Sequence, residues 1–222
     1  MKLLFPSLLL ISTLLLAACS SPITYAVRFK NIDFDAKNRK TVALSTINLT
    51  DRTKIARLTS EIMGLGKNID KTEASFVARE AVLYPQYLAN KYRLIGPPNS
   101  HNQLVNRGLR KKGHCYHWAK DMTDQIVKGR TYNTLTLQRA VSFQGKSLEH
   151  NVLTVAAKGK GIKDAIILDA WRHSATLLFL KTSEDPDYRW IKYYPRTFVL
   201  RKDGSRKYII NPKSLADKPN NP

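Results

Sequence analysis

Near residue 130 the hydrophobic spacing of this chain changes from a helical period to short strand-like runs, and this change restricts the fold more than any other feature. Upstream, Ile55, Leu58, Ile62 and Leu65 recur at intervals of three and four, as on one face of a helix. Downstream come short runs rich in β-branched and aromatic residues, separated by turn signals: LTLQRAVSF, HNVLTVAA, AIILDAW, TLLFL, YRWIKYY and KYIIN. Helices followed by strands predict an α+β fold with a largely antiparallel sheet.

The helical part has recognisable boundaries. We expect Pro85 to kink or divide a long helix, and the Gly-Pro-Pro at 96–98 to end this part of the chain. The polar stretch 99–114 predicts a loop. Helical spacing then returns at Cys115 and runs to Gly129, a suitable C-terminal residue. The inward face of this last helix is predicted to carry Cys115, Trp118, Ala119, Met122 and Ile126.

The N-terminus carries a targeting signal. Lys2 precedes an uncharged, Leu-rich run from Leu3 to Leu16, which is 14 residues long and too short to span a membrane as a helix. The following "LAAC" resembles the lipobox of bacterial lipoproteins, which implies cleavage before Cys19 and lipidation of that cysteine. Since Ser20 follows where an inner-membrane lipoprotein would more often carry Asp, the resemblance implies the periplasmic face of the outer membrane. The alternative is an ordinary secretory signal that leaves Cys19 free.

These features divide the chain into four parts. We expect a signal peptide over 1–18, a lipidated N-terminus and tether over 19–45, a single α+β domain over 46–212 and a disordered tail over 213–222. A lipid bilayer, reached through Cys19, is therefore one predicted partner.

The charge of the chain points to anionic partners. There are 37 basic and 17 acidic residues, a net charge of +20, and residues 1–18 contribute only Lys2 to it. Such a surface attracts polyanions. For an envelope protein, anionic lipids, lipopolysaccharide phosphates and the carboxylates of cell-wall peptides are nearer candidates than nucleic acid, which we do not expect to be bound. A general basic bias of the proteome would also explain the charge.

Cys115 stands out as a thiol without a partner. The chain has two cysteines, and lipidation of Cys19 would leave Cys115 with nothing to pair with in an oxidising compartment. At the start of a helix, free backbone N–H groups favour a thiolate, and Lys111 and Lys112 lie just upstream. A nucleophilic thiol also needs an imidazole and a group to orient it.

Both groups follow in order. His150 opens the strand HNVLTVAA and Asp169 closes the next one, AIILDAW, so a hairpin would bring them side by side. This arrangement resembles the transglutaminase-like branch of the papain-type cysteine hydrolases, over roughly residues 100–195. The resemblance implies Cys115 as nucleophile, His150 as base and Asp169 as orienting acid. Trp171 falls where a D-P-W-like motif has its Trp, although Ala170 replaces the Pro.

An acyl-transfer site also needs oxyanion donors. The backbone N–H of Cys115 is one candidate. Side-chain candidates for the oxyanion or the substrate are Asn102, Gln103, Asn106, Trp118 and Trp171.

The leading hypothesis is thus an envelope lipoprotein with a Cys-His-Asp thiol site that transfers acyl groups at amide bonds, as a peptidase, amidase or transglutaminase. No cofactor or metal is predicted. Other interpretations stay open: Cys115 as a core residue, His150 as an edge-strand histidine, Asp169 as a turn cap, or zinc at His114, Cys115 and His117, a spacing that is not a recurring structural site. The alternative function is a non-catalytic protein that uses the same fold to bind anionic cell-wall or membrane surfaces.

Overall fold

The computed structural model describes residues 29, 31–200 and 206–210, with side chains described up to residue 195. Its helices are α1 (Leu49–Met63), α2 (Lys71–Tyr92), α3 (Pro98–Asn106) and α4 (Cys115–Ile126). Its strands are β1 (Ile32–Asp35), β2 (Lys40–Ala43), β3 (Leu135–Ser142), β4 (His150–Ala157), β5 (Ile166–Asp169), β6 (Leu178–Lys181), β7 (Ile191–Lys192), β8 (Arg196–Leu200) and β9 (Arg206–Ile210). The predicted signal peptide, Cys19 and the predicted disordered tail lie outside the described residues.

The central sheet confirms the α+β class. It has five strands in the order β6-β5-β4-β3-β7, and every neighbouring pair is antiparallel. The strands β1 and β2 form one separate hairpin, and β8 and β9 another. In the middle of the large sheet lies β4, whose residues are buried except for the half-buried Ala157, as expected for a strand that is covered on both faces.

The helices cover one face of this sheet and enclose the main core. Helix α2 carries many of the core residues and packs against α1 on one side and α4 on the other. Helix α4 in turn packs on β4 and β3. Trp118, Met122 and Ile126 of α4 are all buried, as the helical spacing predicts. The first turn of α4 therefore lies directly over the start of β4.

Helix α2 runs through Pro85 without a break, so of the two predicted effects, a kink or a division, the division does not occur. Proline removes one backbone hydrogen bond and costs a helix about 3 kcal/mol. Val82, Leu83 and Leu88 on both sides of Pro85 are buried, and each such side chain contributes about 1.5 to 3 kcal/mol. Burial of the flanks thus outweighs the cost of the proline.

The segment predicted as a loop contains helix α3. Pro97 is its N-terminal cap and Pro98 its first residue, a position that needs no backbone N–H. Helix α3 is held by His101, which is fully buried: its Nδ1 accepts the backbone N–H of Ile95 at 3.2 Å, and its Nε2 donates to the carbonyl of Lys112 at 2.9 Å. The two prolines therefore begin a helix, and the prediction that they end the helical part of the chain is wrong.

The β1–β2 hairpin is fastened to α2 by a buried carboxylate. Glu80 is fully buried and accepts hydrogen bonds from the backbone N–H of Thr41 at 3.0 Å and its hydroxyl at 2.7 Å. Gln125 of α4 donates to the same carboxylate at 3.0 Å. Residues 32–43, inside the predicted tether, are therefore packed onto the domain. Among the described helices, none is long and apolar enough to cross a membrane.

Candidate active site

The ends of three neighbouring elements bring Cys115, His150 and Asp169 together. Cys115 is the first residue of α4, His150 the first of β4 and Asp169 the last of β5. Antiparallel pairing of Leu153 with Leu168 sets the end of β5 beside the start of β4. Packing of α4 on β4 then places the thiol over the same corner of the sheet.

His150 and Asp169 form a buried ion pair. Nε2 of His150 lies 2.6 Å from Oδ2 of Asp169, and both side chains are almost fully buried. Burial opposes the charge of the imidazolium, but the charge of Asp169 and this hydrogen bond prevail and raise the pKa of His150 to about 9. Burial likewise opposes ionisation of Asp169, yet His150 and Arg172 hold the pKa of this carboxyl below its ordinary value.

The second imidazole nitrogen of His150, Nδ1, is not bound by Asp169. Nδ1 is buried and has no hydrogen-bond partner that meets standard geometry within the described part of the chain. The Cys115 side chain nevertheless interacts with His150 and contributes to raising its pKa. Since Nε2 is bound by Asp169, Nδ1 is the nitrogen available to the thiol. At rest, Sγ of Cys115 lies 3.5 Å from the carbonyl oxygen of Glu149.

Three aromatic rings surround the His150 imidazole. Their centroids lie 5.0 Å away for Trp171, 4.7 Å for Tyr188 and 5.5 Å for Trp190. The rings hold the imidazole in one orientation, and the negative faces of aromatic rings attract a cation. This enclosure suits a histidine that carries a proton without exposing it to water.

The thiol lines a cleft of about 610 Å³, and His150, Trp171 and Tyr188 are also part of its lining. One wall is α3 and the other is the loop 145–149. Asn99, Asn102 and Asn106 face the cleft from α3, since the spacing of three and four places them on one side of the helix. Oδ1 of Asn102 accepts the indole N–H of Trp171 at 3.4 Å. The cleft is thus large enough for a peptide segment and is lined by amides near the thiol.

The candidate oxyanion and substrate residues do not all reach the cleft. Asn102, Asn106 and Trp171 line it, whereas Gln103 is exposed elsewhere on α3. Trp118 is buried in the core, where its indole N–H donates to the Gly113 carbonyl at 2.9 Å. At the first turn of α4, the backbone N–H of Cys115 has no intrahelical acceptor, which is general for helix N-termini.

Two residues close to Asp169 were missed in the sequence. Arg172 donates to Asp169 Oδ2 at 2.7 Å. Its two terminal nitrogens also donate to the carboxylate of Asp185. A signal existed for Arg172, because an arginine three residues after an aspartate can reach back across a turn. Asp185 gave none, since it lies in a polar loop whose path depends on the tertiary fold.

The two histidines beside Cys115 have different neighbours from those of a metal site. Nδ1 of His117 accepts the backbone N–H groups of Gly113 and His114, at 3.1 and 3.2 Å. Burial lowers the pKa of His117 to about 4, so its ring is neutral and serves as the acceptor. Within residues 29, 31–200 and 206–210, no three His, Cys, Asp or Glu side chains are grouped so as to hold a metal ion.

Comparison of the chain with protein-family models, with curated proteins and with solved structures gave no match.

Proposed function

We propose that the protein is a cysteine enzyme that transfers acyl groups from amide bonds, with Cys115 as nucleophile, His150 as general base and acid, and Asp169 as the orienting carboxylate. The observation that carries the proposal is the buried His150 imidazole, which is bound to Asp169 through Nε2 and also interacts with the Cys115 side chain beside a cleft. The resemblance to transglutaminase-like enzymes in residue order and elements supports the same roles.

The reaction would proceed in two stages. Since the raised pKa keeps His150 protonated at neutral pH, the thiol proton is already held on the imidazole in a Cys115 thiolate–His150 imidazolium pair. The thiolate Sγ attacks the amide carbonyl carbon, and the resulting oxyanion is stabilised by N–H donors. The C–N bond breaks as the imidazolium returns its proton to the leaving amine, which leaves a thioester. Water then gives a carboxylic acid, or an amine gives a new amide, and the thiol is restored.

The backbone N–H of Cys115 and the side-chain amide of Asn102 are the oxyanion donors that this proposal favours. Asn102 lines the cleft, and its carbonyl oxygen accepts the Trp171 indole N–H. Its NH₂ group is therefore the part of the amide that would donate to the oxyanion. Removing one such donor costs about 10²- to 10³-fold in rate.

The proposed setting is the bacterial envelope, with the domain held at the periplasmic face of the outer membrane by lipid on Cys19. The net charge of +20 favours acidic donors such as cell-wall peptides or envelope proteins. The same charge favours a second candidate function, in which the protein binds anionic envelope surfaces without catalysis.

The pH dependence of Cys115 alkylation tests the catalytic proposal. In protein carrying Cys19→Ser, so that Cys115 is the remaining thiol, iodoacetamide should react readily at pH 6 to 7, and His150→Ala should slow this reaction at least about tenfold. His173→Ala, at an exposed histidine, is the matched control and should leave the rate unchanged.

Incubation with peptide amides and a fluorescent primary amine then separates hydrolysis from amine transfer. A wild-type thiol that reacts slowly, with no effect of His150→Ala, would contradict the catalytic proposal and favour the binding function.

A further inference from the structure

Arg172 is a nearly buried cation that touches the same oxygen of Asp169 as His150 does. Its Nε donates to Oδ2 at 2.7 Å, while Nε2 of His150 lies 2.6 Å from that oxygen. The arginine side chain is 11% exposed, so solvent screens this contact little. Asp169 Oδ1 is occupied as well, by the backbone N–H groups of Trp171 at 2.8 Å and Arg172 at 3.1 Å.

The far end of the Arg172 guanidinium is fixed by Asp185. Nη1 and Nη2 donate to the two oxygens of Asp185 at 3.1 and 2.6 Å, a paired contact that sets the plane of the group. Asp185 is fully buried and also accepts the indole N–H of Trp190 at 3.0 Å. The guanidinium carbon lies 4.9 Å from the centre of the Tyr188 ring. Trp190 and Tyr188 are two of the rings that enclose His150, so one network holds the imidazole and its carboxylate.

All three nitrogens of the Arg172 guanidinium donate to carboxylates, which is more than an ion pair with Asp185 alone requires. An arginine that merely fastened the loop at 185 would need only its two terminal nitrogens. Here the third donor, Nε, is directed at a carboxylate that already has three other N–H contacts. The extra contact fixes the rotation of the Asp169 carboxyl group, and that rotation decides where Oδ2 points.

We propose that Arg172, anchored by Asp185, is a positioning residue that keeps Oδ2 of Asp169 aimed at Nε2 of His150, so that Nδ1 stays directed to Cys115. The inference deepens the proposed function and rests on it. Arg172 does not touch the thiol and does not line the cleft, so its effect on the reaction passes through Asp169 and His150.

Several charged or titratable groups bear on His150. Cys115 faces it from α4, Asp169 from β5 and Tyr188 from the segment between β6 and β7. Arg172 and Asp185 act through Asp169. A useful variant must therefore keep these charges and change only the geometry, since loss of a charge would by itself move the titration of His150.

Arg172→Lys and Asp185→Glu meet this requirement. Lysine has one compact donor group and cannot hold Asp169 and Asp185 together in the same way, whereas glutamate displaces the anchor by one methylene. Asp187→Glu is the matched control that also keeps its charge, because Asp187 touches the same guanidinium at 3.4 Å but is 66% exposed.

The measurement is the NMR titration of the five histidines in the full chain, with the His150 signal assigned by its loss in His150→Gln. In Arg172→Lys and Asp185→Glu, the His150 midpoint should fall by at least about one pH unit, and Cys115 alkylation at pH 7 should slow at least about tenfold; Asp187→Glu should match wild type. If Arg172→Lys does not fold, the same measurements are made on Asp185→Glu alone.

Folded variants that titrate and react as wild type would overturn the positioning role and leave the proposed function intact. Failure of the proposed function has a different signature. In that case wild-type Cys115 is unreactive and insensitive to His150→Ala, whatever the His150 midpoint does in the Arg172 and Asp185 variants.

Discussion

His150 is almost fully buried, and yet its surroundings favour the charged form. Burial of an imidazole usually lowers its pKa, but the buried carboxylate at 2.6 Å reverses the direction here. A histidine that serves packing alone gains nothing from such an arrangement. A histidine that exchanges a proton with a thiol does gain, because the imidazolium that forms has its counter-ion already in place.

The raised pKa of His150 makes stability depend on pH. A group whose pKa rises on folding stabilises the native state fully below its unfolded value, near 6.5, and this contribution is lost as the pH rises through about 9. We therefore expect the difference in free energy of unfolding between wild type and His150→Gln to shrink by a few kcal/mol from pH 6 to pH 10, as measured by urea denaturation. A difference that stays constant over this range would contradict the ion pair.

At the scale of elements, the short connection between α3 and α4 determines where the thiol lies. His101 of α3 is hydrogen-bonded to Lys112, and Gly113 follows with a φ of +152° against the His101 ring. The carbonyl of Gly113 also accepts the Trp118 indole N–H. The connection therefore joins the asparagine wall of the cleft to the first turn of α4.

Gly113→Ala should disrupt this connection. The added Cβ would overlap the His101 ring, which is fully buried and tied at both nitrogens. We expect a loss of about 2 to 4 kcal/mol in the free energy of unfolding, together with slower alkylation of Cys115. Gly161→Ala is the control, since nothing lies within 4 Å of its Cβ position, and it should change stability by less than about 0.5 kcal/mol. Equal stability of the two variants would contradict the close approach.

The elements that the sequence predicted well are those with local signals. The inward face of α4, the strands of the central sheet and the order Cys115, His150, Asp169 all follow from spacing and from where each run starts or stops. Helix α3 was missed because its asparagines and prolines favour turns when taken locally, whereas it is held by the buried His101. The contacts of Arg172 depend on the path of a distant loop, which periodicity does not encode.

At the scale of the whole molecule, one buried carboxylate joins the N-terminal hairpin to two helices. Glu80 of α2 binds Thr41 of β2, and Gln125 of α4 donates to the same group. The carbonyl of Arg39, in the hairpin turn, accepts a second hydrogen bond from Gln125 at 2.7 Å. The hairpin is consequently part of the folded domain, and its position is fixed relative to α4 by these hydrogen bonds.

Glu80→Ala should release the hairpin. The substitution leaves the Thr41 N–H without its acceptor and removes one of the two hydrogen bonds of the Gln125 amide, which we expect to cost about 2 to 4 kcal/mol in the free energy of unfolding. Trypsin should then cut faster after Lys37 and Arg39 in the turn. Glu61→Ala, which removes an exposed contact with Arg57, should cost about 0.5 kcal/mol or less. Unchanged cleavage in Glu80→Ala would show that the hairpin is held by other contacts.

Docking of the hairpin also limits how far the cleft can stand from a membrane. If Cys19 bears the lipid that we propose, residues 20–28 are the connection to the domain, because the Phe29 carbonyl already accepts a hydrogen bond from Asn90 of α2. These nine residues extend at most about 30 Å when fully stretched. A donor rooted in the same membrane is then within reach, whereas one held much farther away would have to come to the enzyme. Lengthening this segment with Gly and Ser would widen the radius of action without altering the fold or the site.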